Sequence, residues 1–165
     1  MNADRPVESA ERLYVDTTVF INLGKQGSLL TLVKYLGKRA RIVNEVDVEL
    51  QRNSTLEDFR FLGTLEMIRD WPPVAAVVLT PEQMQEVLDI KRAIAQPGDH
   101  PMKDLGEIAS VIAAKADGLV PVISDDKTAA MLCSVRGIER LTTPDVLKEM
   151  VAVGLLESEQ SSESA

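Results

Sequence analysis

Three short apolar runs in this chain stop at, or just before, carboxylates. Leu13-Tyr14-Val15 ends at Asp16, Arg41-Ile42-Val43 leads through Asn44 to Glu45 and Glu49, and Pro121-Val122-Ile123-Ser124 ends at Asp125-Asp126. Runs of this length, rich in β-formers and bounded by polar residues, read as buried strands. The segments between them carry apolar residues at helical spacing. Strands alternating with helices predict an α/β fold with a parallel sheet, helices on both faces and right-handed crossovers. In such folds ligands sit beyond the carboxyl ends of the strands, which is where these acids fall.

The pattern also sets the expected helices. Thr17 to Leu23 opens one that Gly24 and Gly27 break, and Ser28 to Leu36 resumes helical spacing until Gly37. Asn44 is expected to cap a turn carrying Glu45, Asp47 and Glu49. An amphipathic helix is predicted over 58–71, ended by Pro72-Pro73 before a strand at 74–79. Thr80-Pro81-Glu82-Gln83 combines a cap, a proline at the first helical position and a Gln three residues after the cap, so a helix should run to about Ala95. Leu105 to Ala116 reads as a buried helix, and further helices follow Asp126 and Thr143. Residues 1–11 read as a polar N-terminal arm, 12–155 as one domain and 156–165 as a flexible acidic tail.

Composition narrows the function classes. The single Cys133 forms no internal disulfide, which argues for a reducing, cytoplasmic setting. Nothing approaches the roughly 18 uninterrupted apolar residues of a membrane span, so no membrane partner is expected. With one His and one Cys, a zinc site of nitrogen and sulfur ligands is close to excluded, and any metal would be held by oxygen. A net charge of −8 makes bulk attraction to a nucleic-acid backbone a poor route to binding.

Each acid has a plain structural reading. Asp16, Asp125 and Asp126 could cap the helices that follow them, Glu107 could complement a helix dipole, and Glu49 could be a solvated surface charge. Their recurrence at the same ends of successive strands favours a site instead, with Asp104 and Glu107, three apart, sharing a helix face. Converging carboxylates repel and resist ionising together, and a divalent cation removes that cost. Oxygen ligands suit Mg²⁺ or Mn²⁺.

At these residues the chain resembles the PIN-domain nucleases, common as the VapC-type toxin of VapBC toxin–antitoxin pairs. Leu13 to Leu23, with Asp16, Thr17 and Thr18, is similar to the family's first motif, and Val43 to Leu50, with Glu49-Leu50, to its second. Leu105 to Ala113, with Gly106-Glu107, resembles a Gly-Glu variant of the third, and Val122 to Lys127 the fourth. The resemblance spans roughly Arg12 to Leu155. It implies a three-layer α/β/α sandwich with a central parallel sheet of four to five strands and an Mg²⁺/Mn²⁺ site that hydrolyses RNA through a metal-activated water. Carried over, Asp16, Glu49, Glu107 and Asp126 are the catalytic acids, and Asp16, Glu107, Asp125 and Asp126 the metal ligands. Thr18, Glu45, Asp104, Ser124 and Lys127 support them. Many members have Asp where this chain has Glu107, with Asp104 nearby as the alternative, and the Asp125-Asp126 pair leaves the alignment open by one residue.

The implied protein is a cytoplasmic endoribonuclease with an RNA substrate, an antitoxin partner and a homodimeric state. A PIN-like RNA- or protein-binding module without activity is the alternative. Lys34, Lys38, Arg39, Arg41 and Lys127 are the candidate RNA-steering cations, and scattered surface charge is the plainer reading for most of them. His100, in a loop with two prolines, reads as a solvated residue, and Trp71 as a packing anchor. Three tail acids and the five site acids Asp16, Glu49, Glu107, Asp125 and Asp126 equal the whole negative excess. The acidity is therefore expected in a tail and a metal pocket.

Overall fold

The computed structural model describes residues 5–63 and 74–156. Its single sheet has five parallel strands in the order β3-β2-β1-β4-β5. These are β1 (Leu13–Val15), β2 (Ala40–Val43), β3 (Ala75–Val77), β4 (Val122–Ile123) and β5 (Arg140–Leu141). Eight α-helices are described: α1 (Pro6–Ser9), α2 (Thr17–Lys25), α3 (Leu29–Leu36), α4 (Asn44–Asn53), α5 (Pro81–Ile94), α6 (Leu105–Ala116), α7 (Lys127–Arg136) and α8 (Thr143–Ala152). The chain steps from β1 to β3 in one direction, then crosses back to β4 and β5. Right-handed crossovers therefore place α2 and α3 on one face and α5, α6 and α7 on the other, giving the expected three-layer α/β/α sandwich, with α4 reaching over to pack on α6. In keeping with this, α5 packs on α6, α6 packs on α7, and α6 lies against β1, β2 and β4.

The core joins sheet residues Leu13, Val15, Ile42 and Ile123 to Leu32 and Leu36 of α3 and to Ile108 and Ile112 of α6, all essentially inaccessible. Register then positions the polar residues. Val15 pairs with Ile123, and Ile123 with Leu141, so the next residues along, Asp16, Ser124 and Thr142, emerge side by side from the sheet. No helix among the described residues is long and apolar enough to cross a membrane.

Several expectations change. Helix α2 runs through Gly24 to Lys25, because Gly24 serves packing here: a Cβ on it would come within 2.1 Å of the Phe61 ring. Asn44 is the first residue of α4, whose cap position is Val43. The helix predicted over 58–71 is a 3-10 segment at Glu57–Gly63 in its described part, broken by non-helical angles at Phe59. Its remainder, with Trp71, lies outside the described residues. The strand predicted at 74–79 is shortened to Ala75–Val77. Helix α5 starts as expected, with Thr80 and Gln83 forming a reciprocal capping box.

The N-terminal segment is docked, which its polarity did not suggest. Val7 is fully buried, and Glu149 of α8, itself 6% exposed, accepts hydrogen bonds from Val7 N (3.0 Å) and Glu8 N (2.9 Å). Arg39 donates to the carbonyls of Val7, Glu8 (2.9 Å) and Ala10 (3.3 Å), so the turn is held at both polar ends. Glu149→Ala leaves two amide donors of α1 without their acceptor. It should cost about 1–3 kcal/mol, read as a lowered urea midpoint. An unchanged midpoint would show that the docking contributes nothing to stability.

Candidate metal centre

The strand order reverses between β1 and β4, and the crevice this opens at the carboxyl ends of the strands is the usual ligand position in an open parallel sheet. Asp16 leaves β1 here and is fully buried. It occupies the cap position of α2, but its side chain makes no capping hydrogen bond. Its Oδ2 instead accepts from Ser124 Oγ (2.8 Å) and Thr18 Oγ1 (3.1 Å). Its Oδ1 is buried with no hydrogen-bond partner. Burial is the main reason that the Asp16 carboxyl rises to about 6, with Glu49 adding to the rise and the two hydroxyls opposing it.

The same hydroxyls order the opposite wall. Ser124 Oγ accepts from Asp126 N (3.1 Å), and Thr18 Oγ1 accepts from Asp125 N (3.2 Å). Two small side chains thereby tie the β1–α2 turn to the β4–α7 turn. Asp126 caps α7, its Oδ1 accepting from Thr128 N at 2.7 Å.

The third wall is the start of α6. Asp104 stands in the left-handed region at φ 63°, a conformation Asp tolerates, and Glu107 follows in the first turn. Asp104, Glu107 and Asp126 each offer a carboxylate oxygen, and these oxygens lie within 4.8 Å of one another. Glu107 is 8% exposed and its carboxyl rises to about 8, first through burial and then through the charges of Asp16, Asp126 and Glu49. Glu49 reaches over from α4, accepting from Thr17 Oγ1 at 2.8 Å. A Cβ at position 106 would lie 2.9 Å from Glu49 Oε2, so glycine there lets α4 and α6 approach closely enough to bring Glu49 in.

Asp16, Asp104, Glu107 and Asp126 are thus brought around one crevice, with Glu49 at its edge. Asp125 is turned away. Its oxygens accept from Thr143 N (2.7 Å), Thr143 Oγ1 (2.5 Å) and Asn22 Nδ2 (2.6 Å), so it joins α2 to α8 rather than sharing the carboxylate cluster as expected. Glu45 is half-buried, and its Oε2 lacks a partner. Lys127 is exposed at the start of α7, one residue past Asp126. The other cations expected to steer a polyanion are placed elsewhere. Arg39 is committed to α1, and Arg41, bonded to Lys38 O (2.7 Å) and Ala40 O (3.0 Å), lines a cavity with Arg12 and Tyr14 near the amino ends of the strands.

Sequence reasoning did not single out Asn22, Lys25 or Thr143. Asn22 carried a signal, as a polar residue inside the aliphatic run Val19 to Leu23. Thr143 carried none beyond its place at a helix start.

The donor set fits a hard divalent cation. It is all oxygen, one buried carboxylate oxygen has no other partner, and the carboxylates lack neutralising cations. Among the described residues the ion pairs are Arg5–Glu8, Arg12–Asp117, Lys103–Asp99 and Lys115–Glu86, none of which includes a cluster acid. Burying carboxylates without such a counter-charge raises their pKa values, as it does for Asp16 and Glu107. No known family model and no curated protein matches the chain.

Proposed function

We propose that this protein is an Mg²⁺- or Mn²⁺-dependent endoribonuclease of the PIN type, acting as the toxin of a toxin–antitoxin pair. The observation that carries the reading is the Asp16 carboxylate, fully buried with one oxygen lacking a partner, beside the close trio Asp104, Glu107 and Asp126 at the reversal of strand order. The order of the four motifs along the chain supports the PIN assignment and, through it, RNA as the substrate, an antitoxin as the restraining partner and a homodimer as the working state.

In this reading Asp16, Glu107 and Asp126 hold the cation, with Asp104 supplying a further oxygen and Glu49 a negative charge at the edge. When bound, the cation supplies charge neutralisation at the phosphate and a water of lowered pKa as nucleophile. The chain's own groups arrange that centre. Ser124 and Thr18 fix the Asp16 carboxylate through Oδ2, which leaves Oδ1 for coordination. Burial and the neighbouring carboxylates hold the Glu107 carboxyl up at about 8, and a cation held there would favour its ionised form. Thr17 fixes Glu49. No histidine is needed to move a proton, and His100 lies in the loop between α5 and α6, hydrogen-bonded to Met102 N.

The test is to incubate the protein with a range of structured RNAs and Mn²⁺, with and without chelator. Chelator-sensitive cleavage is expected, together with a rise in melting temperature on adding Mn²⁺. A melting temperature that does not move and RNA that stays intact would overturn the reading in favour of a non-catalytic module.

A further inference from the structure

Beside the acidic crevice an open cleft of about 500 Å³ runs between α2 and the start of α8, lined by Asn22, Lys25, Gln26, Asp125, Thr142 and Thr143. Cleft and crevice are linked through the β4–α7 turn. Thr18 Oγ1 binds both Asp16 Oδ2 and Asp125 N, and Asp125 precedes Asp126 in the chain. Three hydrogen bonds from Thr143 and Asn22 occupy the Asp125 carboxylate, which dampens its charge toward a ligand.

The cation of the cleft is Lys25, exposed in the last turn of α2. Its Nζ lies 5.2 Å from the centroid of the half-buried Phe59 ring, a geometry that favours a fixed position for the ammonium. Phe59 meets Phe61 edge-on, with centroids 6.2 Å apart and planes at 84°. Phe61 fills the space that Gly24 leaves. Nine residues of helix separate Lys25 from Asp16, about 13 Å at the usual rise. Lys25 is therefore placed to meet a part of a polynucleotide other than the phosphate at the acids.

Building on the ribonuclease reading, we propose that this cleft seats the nucleotide next to the cleaved bond in single-stranded RNA, with Lys25, steadied over the Phe59 ring, holding its backbone phosphate. A flexible single strand can bend from the acids into a side cleft and meet a cation there, which a stiff duplex does not. This also gives a −8 chain a local phosphate contact despite its overall charge.

The experiment measures anisotropy of a short fluorescein-labelled single-stranded RNA titrated with the full chain carrying Glu107→Gln, so that the RNA is not cut. Adding Lys25→Ala should weaken binding roughly tenfold and reduce the salt slope by about one. Phe59→Ala, which removes the ring beneath the ammonium, should weaken it by a smaller factor than Lys25→Ala. Lys34→Ala, which removes an equal charge from α3, should change it less than about twofold. Equal losses for Lys25→Ala and Lys34→Ala, or no loss for either, overturn the cleft and leave the ribonuclease reading standing. Absence of any RNA binding by the parent chain, in Mn²⁺ or without it, overturns both.

Discussion

Asp16→Asn is expected to abolish Mn²⁺ binding while making the metal-free protein more stable. The two effects have one origin. Asp16 is fully buried, its Oδ2 is satisfied by Ser124 and Thr18, and its Oδ1 is not satisfied at all. With its pKa raised to about 6, the group folds more favourably protonated than charged. Its contribution to stability is complete below the ordinary Asp range and is lost as the pH rises through about 6. At pH 8 the metal-free wild type therefore carries a buried charge that Asn does not. The substitution should recover about 1–3 kcal/mol there, seen as a higher melting temperature in chelator. The same loss of charge removes the anionic oxygen available to a cation, and Mn²⁺ affinity should fall by on the order of a hundredfold or more. Isothermal calorimetry decides the point, since an unchanged Mn²⁺ affinity in a folded Asp16→Asn protein removes Asp16 from the centre.

Glu107→Gln should flatten the pH dependence of stability in the absence of metal. The folded carboxyl titrates near 8 and the unfolded one near its ordinary value of 4.5. Between those pH values the folded chain holds a proton that the unfolded chain has released. Stability from this group is thus full below about 4.5 and declines as pH rises toward 8, at up to about 1.4 kcal/mol per pH unit. Wild type and variant should match near pH 4.5 and diverge above it, the variant becoming the more stable by a few kcal/mol near pH 8. Mn²⁺ should reverse that order at pH 8, because only the wild type gains the stabilisation of a bound cation. Urea midpoints of the two proteins from pH 4.5 to 8.5 provide the measurement. Parallel curves would mean that Glu107 is not the buried acid that the geometry describes.

The layered fold was legible because its signals are local. Alternating short apolar runs and amphipathic segments specify strands, helices and crossover hand with no long-range information, and the all-parallel sheet comes with them. The gathering of Asp16 and Asp126 was legible for a related reason: parallel strands all deliver their succeeding residues to the same end, and Glu107 joins them from the first turn of α6. Side-chain direction was not legible. Asp125 and Asp126 are equivalent as letters, and it takes the amide and hydroxyl of Thr143, from a later helix, and the side-chain amide of Asn22, from an earlier one, to turn one of them outward. Glycine misled at position 24, where the sequence does not say whether a missing Cβ serves a turn or a neighbouring ring. The stretch 57–63 misled because Phe59, Phe61 and Leu62 mimic helical spacing while packing as a 3-10 segment. Arg39 and Arg41 read as surface charge suited to a polyanion, yet both spend their guanidinium donors on backbone carbonyls.

The seat of α1 bears on which substitutions the first residues of the chain can accept. Glu149 and Arg39 bind amides and carbonyls, groups that nearly every residue offers alike, and Val7 alone contributes a fully buried side chain. Positions 8 and 9 are therefore open to drift provided a helical turn survives, whereas position 7 admits only a side chain that fits an aliphatic hole. Sequence variation along this turn should track a single anchor side chain, with the rest of the segment recognised only by its backbone shape.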